Sequence, residues 1–290
     1  MQSMHVTSAV STTRDDGWVA RHPVFAFILI CYGFSWGLWS LMILSSQGML
    51  PFRFPTNPLG SFGPAVAAIG LTAVLHGREG LRRLRQRLFQ WRESGAQYLF
   101  TILSTAAMYA VAISLAALTG SLPQPVFQNL DRWHLVFPLA LYVLILGGPL
   151  GEEIGWRGYL LPALQRRTNP LAAALLVGLA WSVWHLPDFW LEGAAQKGSS
   201  ILLFAVTTIA LSVVFTWVFN KTHGSLLVAV LYHFFVNMTS FCLALTVPTL
   251  IDSTAVGLLF VGATCGTAII VAASTRGRLG RGEIACSSAV

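Results

Sequence analysis

Stretches of about 20 residues without a charge recur along this chain, and no other feature restricts its folding as much. Such runs are the signature of membrane-spanning helices. The composition agrees: 55% of the 290 residues are hydrophobic and 10% are charged, against about 25% charged in a soluble domain. Eight spans are expected, at 24–44, 59–75, 98–118, 134–150, 171–185, 201–219, 226–246 and 255–273. The second and fifth are short for a full crossing and require tilt or burial within the bundle. The expected fold is an all-α polytopic membrane protein of one domain, residues 23–275. Polar tails are expected at 1–22, which lack the apolar core of a signal peptide, and at 276–290. The cysteines at 31, 242, 265 and 286 form no C-x-x-C and no disulfide framework.

The formal charge of +7 raises nucleic acid as a partner, but the distribution of the basic residues points elsewhere. With eight spans and alternating loops, fifteen of the 18 Lys and Arg fall on one side and three (Arg53, Arg132, Lys197) on the other. Excess Lys and Arg marks the cytoplasmic face. Both termini are therefore expected inside, with six of the arginines in the segment between spans two and three, Arg78–Arg92. That segment reads either as a surface amphipathic helix or as a solvated charge run. The partner implied by the charge is the anionic bilayer, not nucleic acid.

Nine of the 11 acidic residues, Asp188 among them, fall in tails or inter-span loops. The other two, Glu152 and Glu153, adjoin a span with apolar sequence on both sides ("LILGGPL" before, "YLLPAL" after). A buried charge costs several kcal/mol unless it is paired. Glu153 and Arg157 stand four apart on one helix face, while Glu152 points roughly 100° away. Arg157 is expected to neutralise Glu153 and leave Glu152 free to titrate. Two adjacent carboxylates raise the pKa of one of them, which suits a general base. The plainer alternative is a span that ends here, with Glu-Glu and Arg as solvated helix-end charges. Two histidines lie in or at the end of apolar runs. His185 follows Trp181 by four, and His233 precedes Asn237 by four, so each pair shares a face. Alone, such a histidine also serves as a hydrogen bond between helices. The charge-derived topology puts Glu152 at the inner end of span four and His185 near the outer end of span five, a conflict that a short or broken span five would relieve.

Three pieces, Glu152-Glu153-Ile-Gly-Trp-Arg157, Trp181-Ser-Val-Trp-His185 and His233-Phe-Phe-Val-Asn237, resemble the motifs E-E-x-x-x-R, F-x-x-x-H and H-x-x-x-N of the CPBP family of intramembrane proteases. This is the Abi/CAAX-protease group that includes the Rce1-type prenyl-protein endopeptidases. Order and spacing match over residues 134–245; Trp181 stands where the family often has Phe. The resemblance implies an intramembrane glutamate-type endopeptidase with an active site facing the cytoplasm and no cofactor. It implies that Glu152 activates a water also held by His185, and that His233 and Asn237 stabilise the oxyanion or position the water. Glu153, Arg157 and Trp181 would support them. The implied partner is a protein or peptide substrate at the membrane, prenylated or otherwise membrane-associated. Two alternatives stand beside this. One is a zinc protease on the same fold, since two His and a Glu can ligate zinc, although no H-E-x-x-H is present. The other is a non-enzymatic transporter, immunity or scaffold protein, because fold does not fix function.

Overall fold

The computed structural model describes residues 17–54 and 58–281. Most of the expected N-terminal tail, and the end of the C-terminal tail with Cys286, lie outside the described residues.

Among the described residues the secondary structure is helical, with no β-strand. The helices are α1 (Pro23–Ser46), α2 (Gly63–Leu88), α3 (Gly95–Leu118), α4 (Val136–Ile145), α5 (Pro149–Gly155), α6 (Leu161–Gln165), α7 (Pro170–Trp184), α8 (Ile201–Lys221), α9 (Leu226–Thr246) and α10 (Thr254–Ser274). A π-helical turn, Trp156–Leu160, joins α5 to α6. Their starts follow capping chemistry. Asn169 Oδ1 accepts from the Ala172 N–H at 2.8 Å, and Ser225 Oγ from the Val228 N–H at 3.2 Å. Prolines occupy first-turn positions of α1, α2, α5 and α7, where the missing N–H costs nothing.

Seven stretches are long and apolar enough to cross a membrane: Pro23–Ser46, Pro58–Leu88, Gly95–Leu118, Leu130–Gln165, Ile201–Lys221, Leu226–Thr246 and Thr254–Ser274. The protein is a polytopic all-α membrane protein. Its eighth apolar helix, α7, has 15 residues, about 22 Å of helix against the ~30 Å of bilayer hydrocarbon. It lies along α8, and α1 covers its C-terminal end. The Tyr32 hydroxyl donates to the Ala180 carbonyl, and the Trp36 indole to the Trp184 carbonyl at 2.9 Å. The outer surface is apolar, as at Leu99, Ile102 and Leu103 on α3 or Ile269 and Ile270 on α10, whereas small residues such as Ala112, Ala116 and Ala268 are buried. Small residues inside and large apolar ones outside is the arrangement of helices packed in lipid.

Three expectations change. The second span does not end near residue 75: helix continues across a kink at Gly77 (φ 58°) to Leu88. The arginine-rich segment is therefore largely an extension of α2. On it Arg82 and Glu79 form an exposed pair at 2.8 Å. The fourth span does not end at Leu150: after a break at residues 146–148 the helical path resumes and runs on to Gln165. Part of the expected C-terminal tail is docked. Leu279 is buried, its carbonyl accepts from Asn220 Nδ2 at 2.9 Å, and the Arg281 guanidinium donates to the Gln165 carbonyl.

Candidate active site

The site begins at the break between α4 and α5. The N–H groups of Leu146 and Gly147 both close on the Tyr142 carbonyl, at 2.8 and 2.9 Å. Gly148 then takes φ 106°, a backbone conformation that L side chains rarely adopt. Pro149 starts α5. Within it, Gly151 and Gly155 lie against residues 61–64. A Cβ on Gly151 would stand 2.8 Å from the Ser61 carbonyl oxygen, and one on Gly155 would stand 2.3 Å from Pro64 Cβ. This is the close approach that small residues four apart permit between helices. It fixes the rotation of α5 and turns Glu152 and Glu153 towards α7 and α9.

Both carboxylates are buried, Glu152 at 4% and Glu153 at 0% exposure, so the solvated helix-end reading fails. They have separate surroundings. Glu152 Oε2 accepts from the Trp181 indole N–H at 2.5 Å, and more weakly from Trp156 at 3.4 Å. The same oxygen lies 3.9 Å from His185 Nε2. Glu152 Oε1 lies over Gly148, where a Cβ would be 2.3 Å away. The depth conflict between Glu152 and His185 is thus resolved. Glu152 sits part-way along a long helical path, and α7 is short enough to bring its C-terminal end to the same level.

Glu153 faces the other way. Its Oε1 is 3.0 Å from Arg157 Nη1 and 2.8 Å from His233 Nδ1. Arg157 is fully buried, with its guanidinium 4.8 Å from the Trp181 ring centroid and 4.2 Å from that of Phe215. Those distances give cation–π contact on both rings. The expected Glu153–Arg157 pair is therefore present, as an interior pair and not as part of a cytoplasmic loop. His233 joins this pair, its Nδ1 engaging Glu153 and not Glu152. Asn237, one turn further along α9, donates from Nδ2 to the Gly147 carbonyl at 3.2 Å. It touches the break that shapes the Glu152 pocket.

The π turn explains a residue that the sequence reading left in a charge run. The Leu161 N–H bonds to the Trp156 carbonyl, five residues back, and Pro162 has no N–H. The carbonyls of Arg157 and Gly158 thereby lose their ordinary i+4 donors. Arg87, at the end of α2, replaces them: Nη2 donates to Arg157 O and Nη1 to Gly158 O, each at 3.2 Å. Its Nε donates to Gly224 O at 2.9 Å, and the guanidinium lies 5.0 Å from the Phe219 ring centroid. Three other residues of the site were also missed. Gly148 and Trp156 were findable, the first beside a proline at a span break and the second four residues after Glu152. Asp188, read as a loop acid, is buried, and its Oδ2 lies 2.8 Å from His185 Nδ1.

The zinc alternative needs three converging ligands. Among the described residues no three His, Cys, Asp or Glu side chains gather to hold a metal ion. His233 is turned to Glu153, and Nδ1 of His185 to Asp188. No step below runs through a metal.

Residues 133–239, which carry all three motifs, match the model of the Rce1-like family, described as type II CAAX prenyl endopeptidase Rce1-like. Over 210 residues the chain is 28% identical to CAAX prenyl protease 2 of Methanococcus maripaludis, an alignment covering 69% of this chain and 76% of that protein. Polytopic fold, motif order and both similarities agree in likening the chain to the Rce1-like CAAX-protease family.

Proposed function

We propose that the protein is a glutamate-type endopeptidase that hydrolyses a peptide bond near the C-terminus of a prenylated, CAAX-like substrate. The observation that carries this reading is the convergence of Glu152 Oε2 and His185 Nε2, 3.9 Å apart, in a pocket otherwise walled by indoles. One water reaches both atoms. Glu152 takes a proton from that water as its oxygen attacks the scissile carbonyl carbon. The tetrahedral intermediate then collapses with cleavage of the C–N bond, and the proton passes to the leaving amine. Burial of the site from bulk water strengthens each of these interactions.

Glu153 and Arg157 act as a fixed pair behind the pocket. His233, with Nδ1 held by Glu153, positions the water or the developing oxyanion from Nε2. Asn237 retains a second amide N–H for the same purpose. The prenylated substrate class rests on the similarity to that family and on the name of the archaeal relative. A cytoplasm-facing site in a cell inner membrane rests on the distribution of basic residues. Labelling of a cysteine at position 85, in a background without the native cysteines, tests that orientation; labelling from outside overturns it.

Purified protein in detergent, incubated with a farnesylated CAAX peptide and with the same peptide unprenylated, tests the activity. Release of the residues after the modified cysteine, from the prenylated peptide alone, is the expected result. Glu152→Gln should abolish it with an unchanged unfolding temperature, and a fully active variant removes this mechanism. Activity lost to a chelator and restored by zinc would transfer the reading to a metal enzyme.

A further inference from the structure

Asp188 lies outside the three motifs, yet it is buried against the imidazole of His185, 3.9 Å from Glu152. The Leu186-Pro187 pair ends α7, and the chain turns through a 3₁₀ helix, Leu186–Phe189. The Asp188 N–H bonds to the His185 carbonyl at 2.9 Å. With three residues per turn, side chains at i and i+3 eclipse, so the turn sets Asp188 directly beneath His185. The result is the 2.8 Å contact between His185 Nδ1 and Asp188 Oδ2, with both side chains close to 90% buried. The imidazole plane is fixed as well. The Trp184 and Phe204 rings meet it edge-on at 4.7 and 5.1 Å between centroids, and Trp181 stands 6.3 Å away.

We propose that Asp188 is a positioning residue that sets the tautomer of His185, holding the proton at Nδ1 and leaving Nε2 a bare acceptor towards Glu152. This rests on the proposed roles of Glu152 and His185. An ionised carboxylate can only accept, so its partner nitrogen carries the hydrogen. Nε2 then meets Glu152 Oε2 as one acceptor facing another at 3.9 Å. Two acceptors at that separation do not bond to each other. A water between them donates one hydrogen to each and turns an oxygen lone pair outward, the orientation needed for attack on a carbonyl. With the opposite tautomer, Nε2–H would point at the carboxylate and compete for the base. The acceptor therefore depends on a residue that does not touch the water.

Asp188→Asn separates this from a structural role. The asparagine is nearly the same size, but its amide can donate to Nδ1, which draws the ring proton to Nε2. Asp188→Ala imposes no tautomer. The expected order of kcat per folded enzyme is wild type, then Ala, then Asn, with Asn lower than wild type by on the order of 10²–10³ and KM little changed. A packing role gives the reverse order, Asn above Ala. Solid-state ¹⁵N spectra of histidine-labelled protein in liposomes read the tautomer without reference to activity, with the His185 signals identified by difference from His185→Gln. Wild type should show a protonated Nδ1 and a bare Nε2, and Asp188→Asn should exchange them. A wild-type ring protonated at Nε2, or on both nitrogens at neutral pH, overturns the inference. So does an unchanged tautomer in Asp188→Asn. If Glu152→Gln is still inactive in those cases, the proposed function survives without this inference. An exchanged tautomer with unchanged turnover overturns the positioning role and removes His185 from the reaction as well.

Discussion

Replacing Glu153 with Gln should cost more stability than any single change at Glu152. Glu153 is the one carboxylate hydrogen-bonded to Arg157 among the described residues. Arg157 is fully buried, and its Nε and Nη2 have no hydrogen-bond partner among the described residues. Two unit charges about 4 Å apart at an effective dielectric near 20 attract by about 4 kcal/mol. Removing one member of a buried pair costs about 3–5 kcal/mol, because the survivor remains desolvated. The contacts of Arg157 with Trp181 and Phe215 persist in the variant and offset none of this change. For a chain of this size the loss lowers the unfolding temperature by on the order of 10 °C. Cys31 is fully buried, so a thiol-reactive fluorophore reports unfolding once Cys242, Cys265 and Cys286 are replaced by serine. Glu153→Gln/Arg157→Met, which removes both charges, should recover most of the stability and little of the activity. If Glu153→Gln unfolds within about 1 °C of wild type, or if the double variant is no more stable than the single one, the reasoning about a buried, mutually dependent pair is wrong.

Further outcomes follow from neighbouring residues. Gly148→Ala puts a Cβ 2.3 Å from Glu152 Oε1 on a backbone at φ 106°; steady-state kinetics should show turnover falling more steeply than the unfolding temperature. Trp181→Phe restores the aromatic more usual in the motif but deletes the 2.5 Å indole bond to Glu152. A lost hydrogen bond to a charged group is worth about 1.5–3 kcal/mol, so kcat should drop about 10–100-fold with KM held; an unaltered rate would make the indole a packing residue. Arg87→Met should destabilise the protein, and less so in a Pro162→Ala background, where an N–H returns within reach of Gly158; a double-mutant cycle with no coupling would refute the exchange of donors. Asn237→Ala should lower kcat by about 10²–10³ if the amide serves the oxyanion, and single-turnover rates near wild type would leave it a brace for Gly147.

The sequence made some of this legible and hid the rest for local reasons. The Glu153–Arg157 pair could be read because four residues on a helix nearly close a turn, and that relation survives any arrangement of the bundle. The apolar runs could be read because length and hydropathy are properties of a segment. The end of span four was misplaced because Gly147-Gly148-Pro149 has the same composition whether a helix stops there or breaks and resumes. Arg87 was hidden in a run of six arginines, since composition does not distinguish one that turns inward from five that do not. Asp188 looked like a loop acid because it follows Leu-Pro; that the loop coils into a 3₁₀ turn beneath His185 depends on how α1 and α8 enclose it. The contact of His233 with Glu153 was not legible because helix periodicity gives a face but not which neighbour that face meets.

The match between Arg87 and Pro162 has an evolutionary consequence. The proline withholds a backbone donor, and the arginine, from a different part of the chain, provides two. Their tolerance to substitution therefore depends on order. A lineage that first exchanges Pro162 for a residue with an N–H gains a donor for Gly158 and then loses less when position 87 varies. A lineage that first loses Arg87 leaves two carbonyls unmet beside Arg157 and passes through a less stable intermediate. Drift should enter this pair through position 162, and relatives lacking the arginine should, as a rule, lack the proline too.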